Sequence, residues 1–187
     1  QELVNFKKKF FETLYIDMKF KDIEKLKDDR KRSLKLGLLQ NPKKVSANLR
    51  WEGKKHPSSI RLKGDFNDHR NLGKQWSLKL NLRKSNHIYG MTEFSLTNHQ
   101  SRSYPYNFII SNNLKEMGLH VPKFETVKVN FNGYDWGLML IEEHFSKEFL
   151  ETRKLKNNVI FKISNENKLK IGATQFQKDI INKNEFD

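Results

Sequence analysis

The stretch that decides the fold is Phe124-Glu125-Thr126-Val127-Lys128-Val129-Asn130-Phe131, then Asn132-Gly133, then Tyr134-Asp135-Trp136-Gly137-Leu138-Met139-Leu140-Ile141. Its first half alternates apolar and polar side chains with a period of two, as a half-buried strand requires. Asn-Gly then meets the demand of a tight hairpin turn for positive φ at both central residues. The spacing predicts two antiparallel strands, the second ending in Glu142-Glu143-His144.

Working outward, the same period recurs. Leu14, Ile16, Met18 and Phe20 share one face of a run ending at Phe20, and further alternating runs cover 45–51, 59–63 and 74–82. In the last of these Trp76, Leu78, Leu80 and Leu82 face one way, while 94–96 reads as a shorter strand and 159–163 as a final one. Between them, 22–36 carries apolar residues among charges and stops at Gly37, which suits a helix with a glycine after its last turn. Residues 104–117 place Phe108, Ile109, Leu114 and Met117 at helical spacing before Gly118, so a helix packed on the sheet is expected there. A third, short helix should open at Ser146, whose hydroxyl can cap it. Strands with interspersed helices and no βαβ rhythm predict an α+β fold, mainly an antiparallel sheet with packed helices.

Composition limits the function classes. The 187 residues include 14 Phe, 5 Tyr and 3 Trp, enough large apolar side chains for a core although 31% of residues are charged. The absence of cysteine excludes disulfide frameworks, thiolate catalysis and Cys-ligated zinc, while leaving the compartment open. No apolar run approaches the roughly 18 residues of a spanning helix, and the opening residues do not read as a signal peptide. Net charge is +14, and it is concentrated: residues 1–110 hold 24 Lys+Arg against 11 Asp+Glu, whereas 111–187 hold 12 against 11. Such an excess attracts phosphates, nucleic acid, acidic lipid or acidic protein without choosing among them, and it also serves solubility.

Two constellations carry candidate chemistry. Arg61 and Lys63 lie on one strand face and Lys79 on the equivalent face of the next, so pairing those strands as a hairpin would put three cations on one surface. Between them runs a polar loop with Asp65, Asp68 and His69, long enough to fold over a ligand; a plain charged hairpin loop is the alternative. Glu142, Glu143 and His144 form the second constellation, suited to metal binding, to pairing a lysine or to general-base work. The chain has no HExxH, no zinc-spaced histidines, no GxSxG elbow and no GxGxxG or Walker A loop. The aromatics that interleave with basic residues fall at strand spacing and read as core, which argues against a nucleic-acid platform.

Taken in order, these segments resemble the CotH family, the spore-coat protein H kinases, and within it the bacterial envelope subgroup. Arg61-Leu62-Lys63-Gly64-Asp65-Phe66 with Asp68-His69, then Lys74 and Trp76-Ser77-Leu78-Lys79, is similar to its first signature. Gly90-Met91, Phe94-Ser95-Leu96, Arg102 and Tyr104 resemble the second. Gly118, Pro122, Asn132-Gly133, Gly137-Leu138, Glu142-Glu143-His144-Phe145, Leu150-Glu151, Ile160 and Lys162 resemble the third, so the likeness spans 45–163. The founding spore-coat sequences tend to Gly-Asn-Ser/Thr where this chain has Gly64-Asp65-Phe66.

The resemblance implies the N-terminal part of an atypical protein-kinase-like fold that binds ATP with magnesium and phosphorylates protein serine or threonine. It implies a nucleotide-facing domain over 1–163 and, over 164–187, the start of a C-terminal part carrying the metal-holding aspartates. By itself the segment would then be inactive. Arg61, Lys63, Lys79, Asp65 and Glu142 are the implied nucleotide-binding candidates, Asp68 and His69 the loop candidates, and Glu142 would pair a lysine or help place metal. Implied partners are a protein substrate and the C-terminal part, not nucleic acid; the implied location is the bacterial envelope, with membrane attachment only through a lost N-terminal anchor. The alternative is a non-catalytic basic module for interaction or for envelope or coat assembly, binding acidic protein, polymer or nucleic acid.

Overall fold

A computed structural model describes residues 11–64, 75–83, 86–99, 105–156, 158–163 and 169–171. Along the chain these form β1 (Thr13–Asp17), α1 (Phe20–Leu36), β2 (Val45–Trp51), β3 (Lys54–Leu62), β4 (Leu78–Leu82), β5 (Glu93–Thr97) and α2 (Tyr106–Glu116). After these come β6 (Phe124–Phe131), β7 (Tyr134–Glu143), α3 (Lys147–Thr152), β8 (Phe161–Ile163) and β9 (Leu169–Ile171). The first seven strands close into a barrel in the order β1-β2-β3-β4-β5-β7-β6, and β8 and β9 make a separate two-stranded sheet.

Alternation gives the barrel its two faces. Along β2, Val45, Ala47, Leu49 and Trp51 are buried and the three residues between them exposed. Leu62 and Ile60 of β3, Leu78 and Leu80 of β4, Phe94 and Leu96 of β5, and Val127 and Val129 of β6 complete an interior in which each of these side chains is fully buried. The quoted hairpin forms as its sequence predicts, with Asn132 at φ 49° and Gly133 at φ 85°. A bulge in β7, where Gly137 takes φ 76° and the register with β6 shifts at Val129, reverses which parity faces inward. Trp136 is therefore inside before the bulge, and Met139 and Ile141 after it.

What seals the barrel is the parallel pairing of β1 with β6, Thr13 to Ile16 lying beside Lys128 to Phe131. Asn132 locks that seam: its side chain accepts from Met18 N at 2.7 Å and donates to Met18 O at 2.9 Å. Its own backbone N–H donates to Ile16 O at 2.9 Å. From β1 the chain enters α1, which buries Leu26 and the Asp29 carboxylate and ends at Gly37 with φ 74°. Asp29 accepts from Arg32 at 2.6 Å and from the Lys43 backbone N–H at 2.5 Å, tying the helix to the segment leading into β2.

The expected α+β sheet with packed helices is thus corrected to a closed seven-stranded mixed barrel with few helices. The physical reason is twofold. Closure rests on residues 13–16 meeting 128–131, a contact between distant segments that no local period encodes. The helix expected to pack on the sheet does form, as α2, but none of its residues is buried. Ile109 and Met117, read as its packing residues, are 51% and 74% exposed, and its partly buried Phe108 meets the Phe124 ring at 5.9 Å.

Candidate functional site

Cross-strand register on the outer wall of the barrel builds the site. Arg61 stands opposite Lys79, Lys79 opposite Ser95, and Ser95 opposite Glu142, so one row crosses β3, β4, β5 and β7. Successive side chains alternate faces, so two residues along from members of this row lie Lys63, Glu93 and His144 on the same face. The pairing that would put Arg61, Lys63 and Lys79 on one surface is present: β3 and β4 are antiparallel neighbours, and Lys63 N donates to Ser77 O at 2.9 Å. Lys44 comes from the segment before β2 to line the same shallow cleft as Arg61, Lys79, Asn81 and Glu93.

Two lysine–glutamate pairs organise the row. Lys63 Nζ donates to Glu142 Oε2 at 2.9 Å, with only 22% and 21% of their side chains exposed. Lys79 Nζ meets Glu93 Oε1 at similar exposure, 24% and 23%. His144 sits between these pairs, its Nε2 2.5 Å from Ser95 Oγ and its Nδ1 3.8 Å from Glu93 Oε1. Burial, and then the charges of Lys79 and Lys63, push His144 down to about 4, against a smaller opposing pull from Glu142 and a further push from Arg61. The imidazole is therefore neutral at physiological pH. A carboxylate can only accept, so the ring proton belongs on Nδ1, facing Glu93, and Ser95 donates its hydroxyl proton to Nε2.

Two further hydroxyls flank the row. Ser77 Oγ and Thr97 Oγ1, two residues before Lys79 and two after Ser95, are buried and have no hydrogen-bond partner among the described residues. Buried donors left in this state cost stability.

The structure divides the acidic cluster at the end of β7. Glu142 faces the lysines, whereas Glu143 faces inward and is held by Arg153 of the turn after α3, at 3.2 and 2.7 Å. Glu143 also accepts from Lys123 N at 2.9 Å, and Arg153 donates to Val121 O at 2.7 Å, so this buried pair is a structural clasp. Of the other candidates, Asp65, Asp68 and His69 lie outside the described residues. Glu93 and Lys44 were not among the candidates the sequence offered, and Ser95 stood there only within Phe94-Ser95-Leu96. The available signal was the outward parity of a charged and a small polar residue flanking buried Phe94.

Among the described residues no group of three or more His, Asp or Glu side chains is arranged to hold a metal ion. Glu93 and Glu142 each face a lysine, so the described carboxylates of the row serve cation pairing and do not by themselves fit a magnesium ion.

Comparison with known proteins adds one match. The family profile described as CotH kinase protein matches residues 60–186, well over half of the chain, and begins at the strand that carries Arg61. No curated protein matches the chain.

Proposed function

Because this chain belongs to the CotH kinase protein family, we propose that the outer-wall row binds the phosphates of a nucleotide such as ATP and serves phosphoryl transfer to a protein hydroxyl. The observation that supports this reading is the convergence of Arg61, Lys63, Lys79 and Lys44 on one face, two of them held by partly buried glutamates. Phosphoryl transfer depends on positioned positive charge around the triphosphate more than on covalent participation by the protein. Lysines already fixed by carboxylates lose less side-chain freedom when phosphate arrives than freely rotating ones would.

The test is calorimetric titration of ATP into the chain, with and without magnesium and again in high salt. Saturable binding at one site that survives moderate salt is expected. A second reading, a non-catalytic basic interaction module, is favoured by the 24 cations against 11 anions of residues 1–110. It predicts weak, unsaturable ATP binding that salt abolishes, and indifference to magnesium.

A further inference from the structure

We propose that His144 couples phosphate binding at this site to the uptake of one proton, making the imidazole an additional cation that appears only when the ligand is present. The inference rests on the phosphate-binding reading above and adds a residue and a regulation to it.

Among the described residues, the charged and polar groups facing the ring come from four strands. Arg61 and Lys63 come from the end of β3, Lys79 from β4, Glu93 and Ser95 from β5, and Glu142 from the strand that leads into His144 itself. Burial first, and then the charges of Lys79 and Lys63, oppose a charge on the ring; it is the second of these that a ligand can reverse. A polyphosphate settling on Lys63 and Lys79 brings several negative charges to the same few ångströms, which reverses the sign of the local field. The side chain is only 19% exposed, so water screens that reversal weakly.

Ser95 makes the change possible without breaking the network. Its hydroxyl is fully buried and held at 2.5 Å from Nε2. A serine hydroxyl both donates and accepts. When a proton from solvent bonds to the Nε2 lone pair, Ser95 turns its own O–H away and accepts the new N–H at the same place. Nδ1–H still faces Glu93, now as part of an imidazolium beside a carboxylate. The one hydrogen bond given up in the exchange is that of the Ser95 O–H to Nε2. An alanine at position 95 would leave Nε2 without that adaptable partner; Ser95 stands opposite Lys79, on the same parity of β5 as Glu93 and Thr97.

The experiment is titration of the chain with inorganic tripolyphosphate and with ATP at pH 6.5, in two buffers of different ionisation enthalpy, for the parent chain and His144→Gln. The buffer dependence counts protons exchanged on binding, and the difference between the two proteins removes the ligand's own protonation. Expected is uptake approaching one proton per site in the parent in excess of the variant. Affinity of the parent should then fall about tenfold more than that of the variant between pH 6 and 8. Equal proton counts and equal pH slopes, with saturable binding intact, would overturn this proposal alone. No saturable binding of either ligand would overturn the phosphate reading and this inference with it. A second measurement does not depend on the variant folding: the ¹⁵N shifts of the His144 ring must move toward the imidazolium values when tripolyphosphate is added at pH 6.5, and unmoved shifts at saturation sink the idea.

Discussion

Lys63 and Lys79 stand at equivalent ends of their two ion pairs, and each is expected to matter separately. Lys63→Ala and Lys79→Ala should each weaken ATP binding at least about tenfold, the scale of one lost charge-assisted contact of about 1.5–3 kcal/mol, with the unpaired glutamate adding repulsion of the phosphates. Unchanged affinity in both variants, measured calorimetrically, would remove the row from the phosphate site. His144 also makes a prediction without ligand. Its proton affinity is depressed in the folded chain, so the unfolded chain binds more protons between about pH 4 and 6.5. Stability should therefore fall as pH drops through that window, and His144→Gln should flatten the slope in urea melts taken at pH 7 and pH 5. The clasp behaves differently. Truncating Arg153 to Met leaves Glu143, 6% exposed, as an uncompensated buried charge, at a cost of about 3–5 kcal/mol. Replacing both partners by leucine should recover most of that loss, and a double variant as unstable as the single one would mean the pair does more than neutralise itself. At this scale the shared face of Arg61, Lys63 and Lys79 was legible from strand parity, whereas Glu142 was reached through the acidic cluster at the end of β7 and the family resemblance. Ser95 and Glu93 were not legible as site residues, because their importance lies in which strands stand beside β5.

Among the elements, β6, the turn and the start of β7 were readable to the residue, since alternation and Asn-Gly are local and redundant signals, while the bulge in β7 and its end at Glu143 were not. The turn's second use was hidden. Asn132 supplies the turn conformation and also clamps the end of β1 through two side-chain hydrogen bonds. Asn132→Gly keeps the positive φ and loses only the clamp, so it should cost about 1–3 kcal/mol and speed amide exchange in β1 more than in β7. Equal acceleration in both strands would show that the turn, not the clamp, had failed. Helix α2 is the opposite case. Its periodicity predicted the element within two residues at its start, yet gave it the wrong surroundings, because Ile109 and Met117 at helical spacing look the same whether or not anything covers them. α3 followed its cap: Ser146 Oγ accepts from Phe149 N at 3.3 Å, as a serine before an apolar turn leads one to expect.

For the molecule as a whole, closure is the feature on which the site depends. A barrel has no free edges, and the strand that abolishes them here is the five-residue β1. A chain beginning after β1 would expose the edges of β2 and β6 together, and it should bind a hydrophobic dye and self-associate in size-exclusion chromatography. A monomeric, dye-silent truncated chain would mean the barrel closes by other contacts. Local sequence carried most of the barrel strands, the turn at Asn132-Gly133, the basic bias of the first 110 residues and the family, since each is written in neighbouring residues or in ordered motifs; β9, after the run read as the final strand, and the reversal of faces along β7 were not so written. Only the tertiary structure decided that the sheet closes, that Glu142 and Glu143 part to opposite faces with different partners, and that Ser95 and His144 meet between two ion pairs. Those outcomes depend on register between strands far apart in the chain, and register is chosen by the packing of the whole interior, not by any window of sequence.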